Sequence, residues 1–421
     1  MRHRITLALL ASLGIVLLIS CATVRPPEAT FQGRTTFAPG FRPLKVSATT
    51  LADGDQRADV SSAYPPMPSG DRKVSDQDIR DRAAALADCG IAACYANDPA
   101  LARRALDEAI ATMGGHVATA SDAKARALFF SKESDKTFRG EPHERAVTFL
   151  FRGMLYLAEG DAENAQACFK SGALQDAMAS GTEDRSDWLS IDLLLLAAKR
   201  MLDSPDAADW QAFIAKEYSG GGLPDGWQTT AVRPVVILLA AGRGPVKQAE
   251  MLRNGELVYL DVPSKVRGFR VLGEKNTTLA CASPTDDCFV QAATRGKREM
   301  DKVLAGKAQT RRGLKTTSGV LKDVGETMEN LPGGLSVLGT ALRIGAKASE
   351  LAARGIHSEA DTRKVELVPN EFYLVMADAN RLGASATLQV LGQADEVLAE
   401  GVASIRAKPD GAQVILARFP Y

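Results

Sequence analysis

Histidine is scarce in this chain of 421 residues, which contains four. One of them, His3, lies in a segment that we predict to be removed, which leaves His116, His143 and His357. There is no H-E-x-x-H sequence and no ordering of Ser/His/Asp or Cys/His that suggests nucleophilic catalysis. There is also no C-x-x-C pair, which argues against a zinc module. The sequence therefore predicts no catalytic residue, no metal and no cofactor.

An excess of charge of either sign is also lacking. Lys plus Arg and Asp plus Glu each total 51, and this near-neutral balance argues against nucleic acid or another bulk electrostatic partner. Beyond the first twenty residues, no apolar run approaches the roughly 20 residues that a membrane-spanning helix needs.

The N-terminus has the layout of a bacterial secretory signal. Arg2 and Arg4 precede the apolar run ITLALLASLGIVLLIS, which ends at Cys21. The residues LISC resemble a lipobox, which implies cleavage before Cys21 and lipidation of that cysteine. Ala22 follows rather than aspartate, which in proteobacterial lipoproteins implies the outer rather than the inner membrane. We predict a signal peptide over 1–20 and a lipid-anchored, periplasm-facing outer-membrane protein; an uncleaved anchor is the alternative.

The rest of the chain divides into three parts by composition. Residues 21–74 hold the lipidated cysteine and a stretch rich in Pro, Thr, Ser and Gly without periodicity, which predicts a disordered tether. Helical periodicity follows over 75–219, with Ser75 as an N-cap and Pro99 at the start of a second helix. Residues 220–421, which begin with three glycines at 220–222, mix strand and helix patterns. The fold class predicted is α+β.

The helical part carries a tetratricopeptide-like pattern. Small and aromatic residues recur at the spacing of this 34-residue repeat, namely Phe149, Gly153, Tyr156, Gly160, Ala165 and Phe169. Gly153 and Ala165 would let two helices approach closely, Tyr156 would fill the space between them and Phe169 would plug the groove. The preceding helix repeats the tail of the pattern, and 187–218 resembles a degenerate third unit. We predict a helical array built of such pairs.

Glu141, His143 and Glu144 stand close together at the start of this unit. They could form an acid–base site, or the glutamates could occupy the first turn of a helix that begins near Pro142, where the helix dipole favours acids. The sequence favours the structural interpretation.

The C-terminal half begins with a β-branched run, Val235 to Leu239, followed by a glycine loop, Gly242 to Pro245, and by Lys247. A phosphate cradle is one interpretation of such a loop. However, the sequence G-x-x-x-x-G-K-[ST] is absent and Pro245 removes one amide, so a turn is predicted. Regular short strands over 364–419, beginning with VELVP and with LGQADEVLAEG as a turn or short helix, predict a terminal antiparallel sheet or sandwich.

Two segments between these strands invite alternatives. Residues 295–322 carry nine basic and two acidic side chains, which could meet anionic headgroups or an envelope polymer, or could form a solvated helix face. Residues 333–355 read as a Gly/Ala-rich helix that packs against a neighbour or, alternatively, mediates self-association.

Five cysteines remain after lipidation. Cys89 and Cys94 are close enough in sequence to bridge, as are Cys281 and Cys288, and an exported protein is exposed to oxidation. Both pairs are therefore candidate disulfides. Cys168 is expected at a buried helix position as a small apolar residue.

Two segments together resemble a family of bacterial lipoproteins of uncharacterised function. They are FRGEPHERAVTFLFRGMLYLAEGDAENAQACFKSG and ASELAARGIHSEADTRKVELVPNEFYLV, and the residues that carry the resemblance are Gly140, Glu141, Glu144, Asp361, Thr362 and Arg363. The resemblance implies a tetratricopeptide-like region joined to a strand-rich module, no enzymatic activity and an envelope role beside lipoproteins linked to peptidoglycan synthesis. The tryptophan that the family commonly shows after the arginine is replaced here by KVEL.

The resulting expectation is a non-enzymatic lipoprotein whose helical array docks another cell-envelope protein. An oligomeric component of a secretion, surface-appendage or polysaccharide-export assembly is the alternative, with the chain itself as partner. A third hypothesis is an enzyme that acts on cell-wall polymer with Glu141 or Glu144 as the acid.

Overall fold

The computed structural model describes residues 49–51, 76–113, 138–177, 188–218, 223–228, 230–231, 233–250, 256–293, 361–406 and 412–419. Several predicted features lie outside the described residues, namely the signal peptide and Cys21, His116, His357, the basic segment 295–322 and the Gly/Ala-rich helix 333–355. Among the described helices, none combines the length and the apolar character that crossing a bilayer requires.

The fold is α+β, as predicted. Six of the helices come first, α1 Asp76–Tyr95, α2 Pro99–Met113, α3 Pro142–Glu159, α4 Ala162–Ala177, α5 Leu189–Met201 and α6 Ala207–Glu217. Two short helices, α7 Cys288–Ala293 and α8 Ala379–Leu382, and one 3-10 turn, Glu274–Asn276, lie among the strands. Two predicted helix starts are confirmed, since Asp98 accepts a hydrogen bond from the Leu101 N–H at 3.1 Å and α3 begins at Pro142. The predicted N-cap Ser75 lies outside the described residues.

Two pairs of consecutive helices, α1–α2 and α3–α4, approach each other closely at a glycine. A Cβ added at Gly153 of α3 would lie 2.4 Å from Cε1 of Phe169 in α4, so only glycine leaves room for that ring. In the same way, a Cβ added at Gly90 of α1 would lie 2.5 Å from Cγ of Leu106 in α2. The close approach predicted at Gly153 is therefore present, with Phe169 filling the space, and a similar contact occurs one helix pair earlier in the chain.

Eleven strands are present in the described residues. They are β1 Thr49–Leu51, β2 Pro234–Ala241, β3 Val246–Glu250, β4 Glu256–Leu260, β5 Gly268–Leu272, β6 Thr278–Ala282, β7 Asp286–Asp287, β8 Glu371–Asp378, β9 Ser385–Leu391, β10 Val397–Ser404 and β11 Gln413–Phe419. Sheet 1 has the order β1-β11-β2-β8-β7 and sheet 2 the order β10-β9-β5-β6, while β3 and β4 form a hairpin. The neighbours pair antiparallel except β11, which runs parallel to β2.

Sheet 1 is the central layer of the molecule. Strand β2 is buried on both faces because its side chains alternate between two apolar clusters. Val236, Leu238 and Phe372 join the cluster that contains the helices, while Ile237 and Tyr373 join the cluster shared with sheet 2. The helices and the C-terminal strands therefore share one apolar core, on the face of sheet 1 that carries Val236, Leu238 and Phe372.

Three local predictions were wrong. Thr49–Leu51, placed in the disordered tether, forms β1 and pairs with β11. Strand β10 begins at Val397, inside the stretch predicted as a turn or short helix. The segment Val365–Pro369 is not a strand, because side chains rather than a neighbouring strand bind its backbone, as described below.

Neither candidate disulfide is formed in the described residues, where Cys89, Cys94, Cys281 and Cys288 are all free. Cys89 and Cys94 are five positions apart on α1, so at 3.6 residues per turn their side chains point in directions well apart around the helix. Cys281 is exposed on β6, whereas Cys288 is buried at the start of α7. Cys168 is half-buried rather than buried.

Candidate functional site

The two segments that carry the family resemblance meet in space. Glu144, in the first turn of α3, accepts a hydrogen bond from the backbone N–H of Val365 at 2.9 Å. Asp361 and Arg363 lie just before that contact, with Thr362 exposed between them. We call Asp361–Pro369 the strap, because it crosses the junction between the helices and sheet 1 without joining either. The contacts around the strap form the candidate functional site.

Glu144 is positioned by the turn that opens α3. Gly140 adopts φ +70°, a backbone conformation that favours glycine, and Glu141 is the N-cap. The backbone N–H of Glu141 donates to Oε2 of Glu144 at 2.6 Å, so Glu144 caps its own helix as expected for an acid in a first turn. The sequence located this helix start correctly.

Lys247 of β3 pairs with Glu144 inside the protein. Its Nζ lies 2.8 Å from Oε2 of Glu144, and both side chains are 1 % exposed. The same ammonium donates to the carbonyl oxygen of Arg363 at 2.8 Å and lies 3.9 Å from Oε1 of Glu141. Burial lowers the pKa of Lys247, and the Glu144 carboxylate opposes that shift. With its ammonium engaged in these contacts, Lys247 does not face a ligand as the phosphate-cradle interpretation would require.

Arg363 anchors the N-terminal end of the strap. Its guanidinium binds Asp361 at 2.7 Å and Asp81 of α1 at 2.8 Å. The ring of Phe138 lies 5.7 Å from this guanidinium and 5.4 Å from the Lys247 ammonium, close enough for both cations to be attracted to its face.

Asp88 of α1 holds the middle of the strap. Its carboxylate accepts the backbone N–H groups of Leu367 at 2.8 Å and of Glu366 at 3.2 Å. Desolvation at this junction raises the pKa of Asp88 to about 7, although the two N–H donors favour the ionised form. The guanidinium of Arg418, on β11, donates to the Leu367 carbonyl at 2.8 Å. The side chains Asp88, Glu144, Lys247 and Arg418 form what we call the clamp.

The clamp explains why the strap is not a strand. Buried backbone N–H and C=O groups need partners, and here carboxylates, an ammonium and a guanidinium supply what a neighbouring strand would. The Gly244 N–H adds one more contact, to the Val368 carbonyl at 3.0 Å. The clamp therefore satisfies the backbone of the strap, including the turn at Glu366 and Leu367, through side chains.

His143 belongs to the packing around the clamp. It is buried, and its ring meets the ring of Tyr259, from the β3–β4 hairpin, edge-on with centroids 5.8 Å apart. No group of histidine, cysteine or carboxylate side chains with metal-site geometry occurs in the described parts of the chain.

The predicted repeat residues lie in the helix packing, away from the clamp. Phe149, Ala165 and Phe169 are buried, and Gly160 ends α3 in the left-handed conformation. Tyr156 was predicted to fill the space between two helices. It packs against the helix cluster while partly buried, and the Arg152 guanidinium lies 3.7 Å from the centroid of the Tyr156 ring.

Sequence reasoning missed Asp81, Asp88 and Arg418, and it did not connect Lys247 with Glu144. The signal for the first two was present, because Asp81 and Asp88 are seven residues apart and so share one face of α1. Asp88 stands within the apolar C-terminal half of α1, and an acid in such a position indicates a polar contact. The other clamp residues, Glu144, Lys247 and Arg418, lie far from Asp88 in the sequence, so no local signal connects them with it.

We expect Asp88→Asn to remove a pH dependence of stability. The pKa of Asp88 is about 7 in the folded protein and 3.8 in its ordinary state. The folded state therefore holds the proton more tightly, so this contribution to stability is complete below about pH 4 and is lost as the pH rises through 7.

Urea midpoints at pH 5 and pH 8 measure this effect. The fall in midpoint from pH 5 to pH 8 should be smaller in Asp88→Asn than in the unsubstituted chain. Asp395→Asn, at an exposed loop position of φ +59° that asparagine tolerates, is the matched control. Equal pH dependence in Asp88→Asn and the control would contradict the assignment.

Comparison of the chain with protein-family models, with curated proteins and with solved structures found no match in any of the three.

Proposed function

We propose that this protein is a non-enzymatic lipoprotein, anchored to the outer membrane through Cys21, whose helical region docks another protein of the cell envelope. The N-terminal run and the residues LISC support the anchor. The paired helices, with their glycine contacts at Gly90 and Gly153, support a tetratricopeptide-like array.

The observation that carries the docking proposal is an aromatic stack on the helix pair α5–α6, in which Trp210 is partly buried and Phe213 is exposed. The rings of Trp210 and Phe213 in α6 stack with centroids 5.0 Å apart. Phe213 is 40 % exposed, and Leu202 at the turn before α6 is 38 % exposed. Exposed aromatic side chains of this kind are typical centres of protein interfaces.

The stack is held in place before any partner arrives. The indole N–H of Trp210 donates to the Asp192 carbonyl at 3.2 Å, and the Lys199 ammonium lies 5.7 Å from the centroid of its ring. A preorganised aromatic surface loses little conformational entropy on binding. We therefore propose an apolar helix or strand of an envelope protein as the docked element.

The clamp supports a structural role for Glu144. A general acid must reach the proton of a substrate, whereas the Glu144 carboxylate is 1 % exposed and already binds Lys247 and the Val365 N–H. This geometry favours the docking proposal over cell-wall hydrolysis by Glu144.

In-cell photo-cross-linking tests the proposal. A photoreactive residue at Phe213, and another at exposed Glu163 of α4, should capture one recurrent envelope protein. The same residue at Ala85, exposed on α1, should capture that protein much less. A Cys21→Ala variant shows whether the capture requires the anchor. If Phe213 and Ala85 capture the same set of proteins, the docking proposal is wrong, and capture of this chain alone would favour the oligomeric alternative.

A further inference from the structure

Strand β10 forms an outer edge of sheet 2. It pairs with β9 on one side, and no strand in the described part of the chain pairs with its other side. An edge strand presents backbone N–H and C=O groups that can pair with another strand.

The register shows which residues face that edge. The Ile405 N–H donates to the Ala384 carbonyl at 2.9 Å, and Ile405 continues the register that pairs Ser404 with Ser385. Hydrogen-bonded and non-hydrogen-bonded pairs alternate along an antiparallel ladder. Gly401, an even number of residues from Ile405, therefore bonds to β9, whereas Glu400 and Val402 direct their backbone groups outward.

Both ends of this edge are closed. A bulge between Val397 and Ala399 interrupts the regular register at one end. At the other, the Gln413 side chain donates to the Ser404 carbonyl at 2.8 Å and accepts the Arg406 N–H at 2.9 Å. The open stretch is therefore Ala399–Ala403, which has Gly401 at its centre.

The side chains of β10 do not protect the edge against pairing. Lysine and proline, which natural edge strands use to prevent association, are absent from Val397–Ser404. Val402 is 64 % exposed, the highest value among the exposed large apolar residues of the described chain, and Val397 is 47 % exposed. The Glu400 carboxylate is held over sheet 2 by the Gln389 amide at 2.8 Å.

We propose that this edge pairs antiparallel with the same edge of a second copy of the chain, about a two-fold axis through Gly401. Glu400 of each copy then lies opposite Val402 of the other, so like charges are not opposed. Glycine meets glycine at the axis, where no side chain can obstruct the approach. Such an interface uses the same patch on both copies, as a two-fold dimer requires, and continues sheet 2 across them.

Engineered cysteines test both the pairing and its register. In the full chain with Cys281→Ser, which removes the exposed thiol, Glu400→Cys and Val402→Cys are introduced singly and together. Opposed residues of a hydrogen-bonded pair have Cα atoms about 5.5 Å apart, within reach of a disulfide. In a single variant, the two introduced cysteines, one from each copy, would be diagonal neighbours. Their Cα atoms would be about 7–8 Å apart, which is too far for a disulfide.

We expect the double variant to form a disulfide-linked dimer on mild oxidation, with at least about tenfold less dimer in either single variant because of that distance. Each single variant retains the same native cysteines as the double variant, so the single variants control for random oxidation. In the chain without cysteine substitutions, Val402→Pro should abolish chemical cross-linking while the fold is kept, because the Val402 N–H is not bonded to β9.

Failure of the double variant to dimerise, or equal dimer in the single variants, would overturn the proposal. A circular-dichroism melt on each variant establishes that it is folded. The outcome is separate from the proposed docking, since capture from Phe213 can succeed or fail whether or not the β10 edges pair.

Discussion

Replacing Lys247 by methionine should lower the free energy of unfolding by about 3–5 kcal/mol, the range for removing one partner of a buried ion pair. The variant would leave the Glu144 carboxylate buried without its cation, and the Arg363 carbonyl without its donor. Methionine keeps most of the side-chain volume, so a packing defect contributes little. Urea unfolding of the variant and the unsubstituted chain measures the difference.

The exposed pair Arg103–Glu159, at 3.4 Å, provides the matched control. Arg103→Met should change the free energy of unfolding by at most about 1 kcal/mol, because solvent screens such pairs. If Lys247→Met costs no more than Arg103→Met, the clamp does not stabilise the junction.

A double-mutant cycle separates the ion pair from its surroundings. Glu144→Gln alone removes the carboxylate that hydrogen-bonds to the buried Lys247 ammonium and leaves Glu141 3.9 Å away, whereas Glu144→Gln with Lys247→Met removes both charges of the pair. The double variant should therefore lose clearly less stability than the sum of the two single losses. Amide hydrogen exchange gives a second readout, since the Val365 and Leu367 amides should exchange faster in Lys247→Met while those of β2 change little.

The helices could be predicted from sequence because their signals are local. Asp98 and Pro99 mark the start of α2 within two positions, and Gly153 and Phe169 belong to a pattern that one helix pair completes. The strap could not be predicted in this way. VELVP alternates like a strand, but its amides bind Glu144 and Asp88, more than two hundred residues earlier in the chain. Tertiary contacts of that range override a short apolar alternation.

The sequence located only the part of the candidate functional site that depends on local signals. The turn at Gly140 and the acids Glu141 and Glu144 were identified as a helix start, which is a local property. That Lys247 would face Glu144 depends on β3 lying beside α3, and nothing in the residues around Lys247 specifies that neighbour. The candidate disulfides are not formed, because Cys89 and Cys94 lie out of phase on α1 and because Cys281 is exposed whereas Cys288 is buried, which proximity in sequence does not show.

Gly153→Ala should destabilise the protein even though alanine is the better helix former. Alanine gains up to about 1 kcal/mol in helix propensity. Its Cβ, however, would lie 2.4 Å from Cε1 of Phe169, and overpacking of a buried contact costs about 1–3 kcal/mol. The loss should therefore exceed the gain. Gly268→Ala is the control, because a Cβ there meets no atom closer than 3.5 Å.

Phe169 tests the same contact from the other helix. Phe169→Ala should cost about 3–5 kcal/mol, since the ring is fully buried between α3 and α4. Gly153→Ala combined with Phe169→Leu should lose less stability than the two single changes added, because the smaller side chain gives the new methyl room. Urea midpoints of the unsubstituted chain, Gly153→Ala, Phe169→Leu and the double variant measure this coupling. Strict additivity would mean that Gly153 and Phe169 do not limit how closely the two helices approach, and the glycine would then need another explanation.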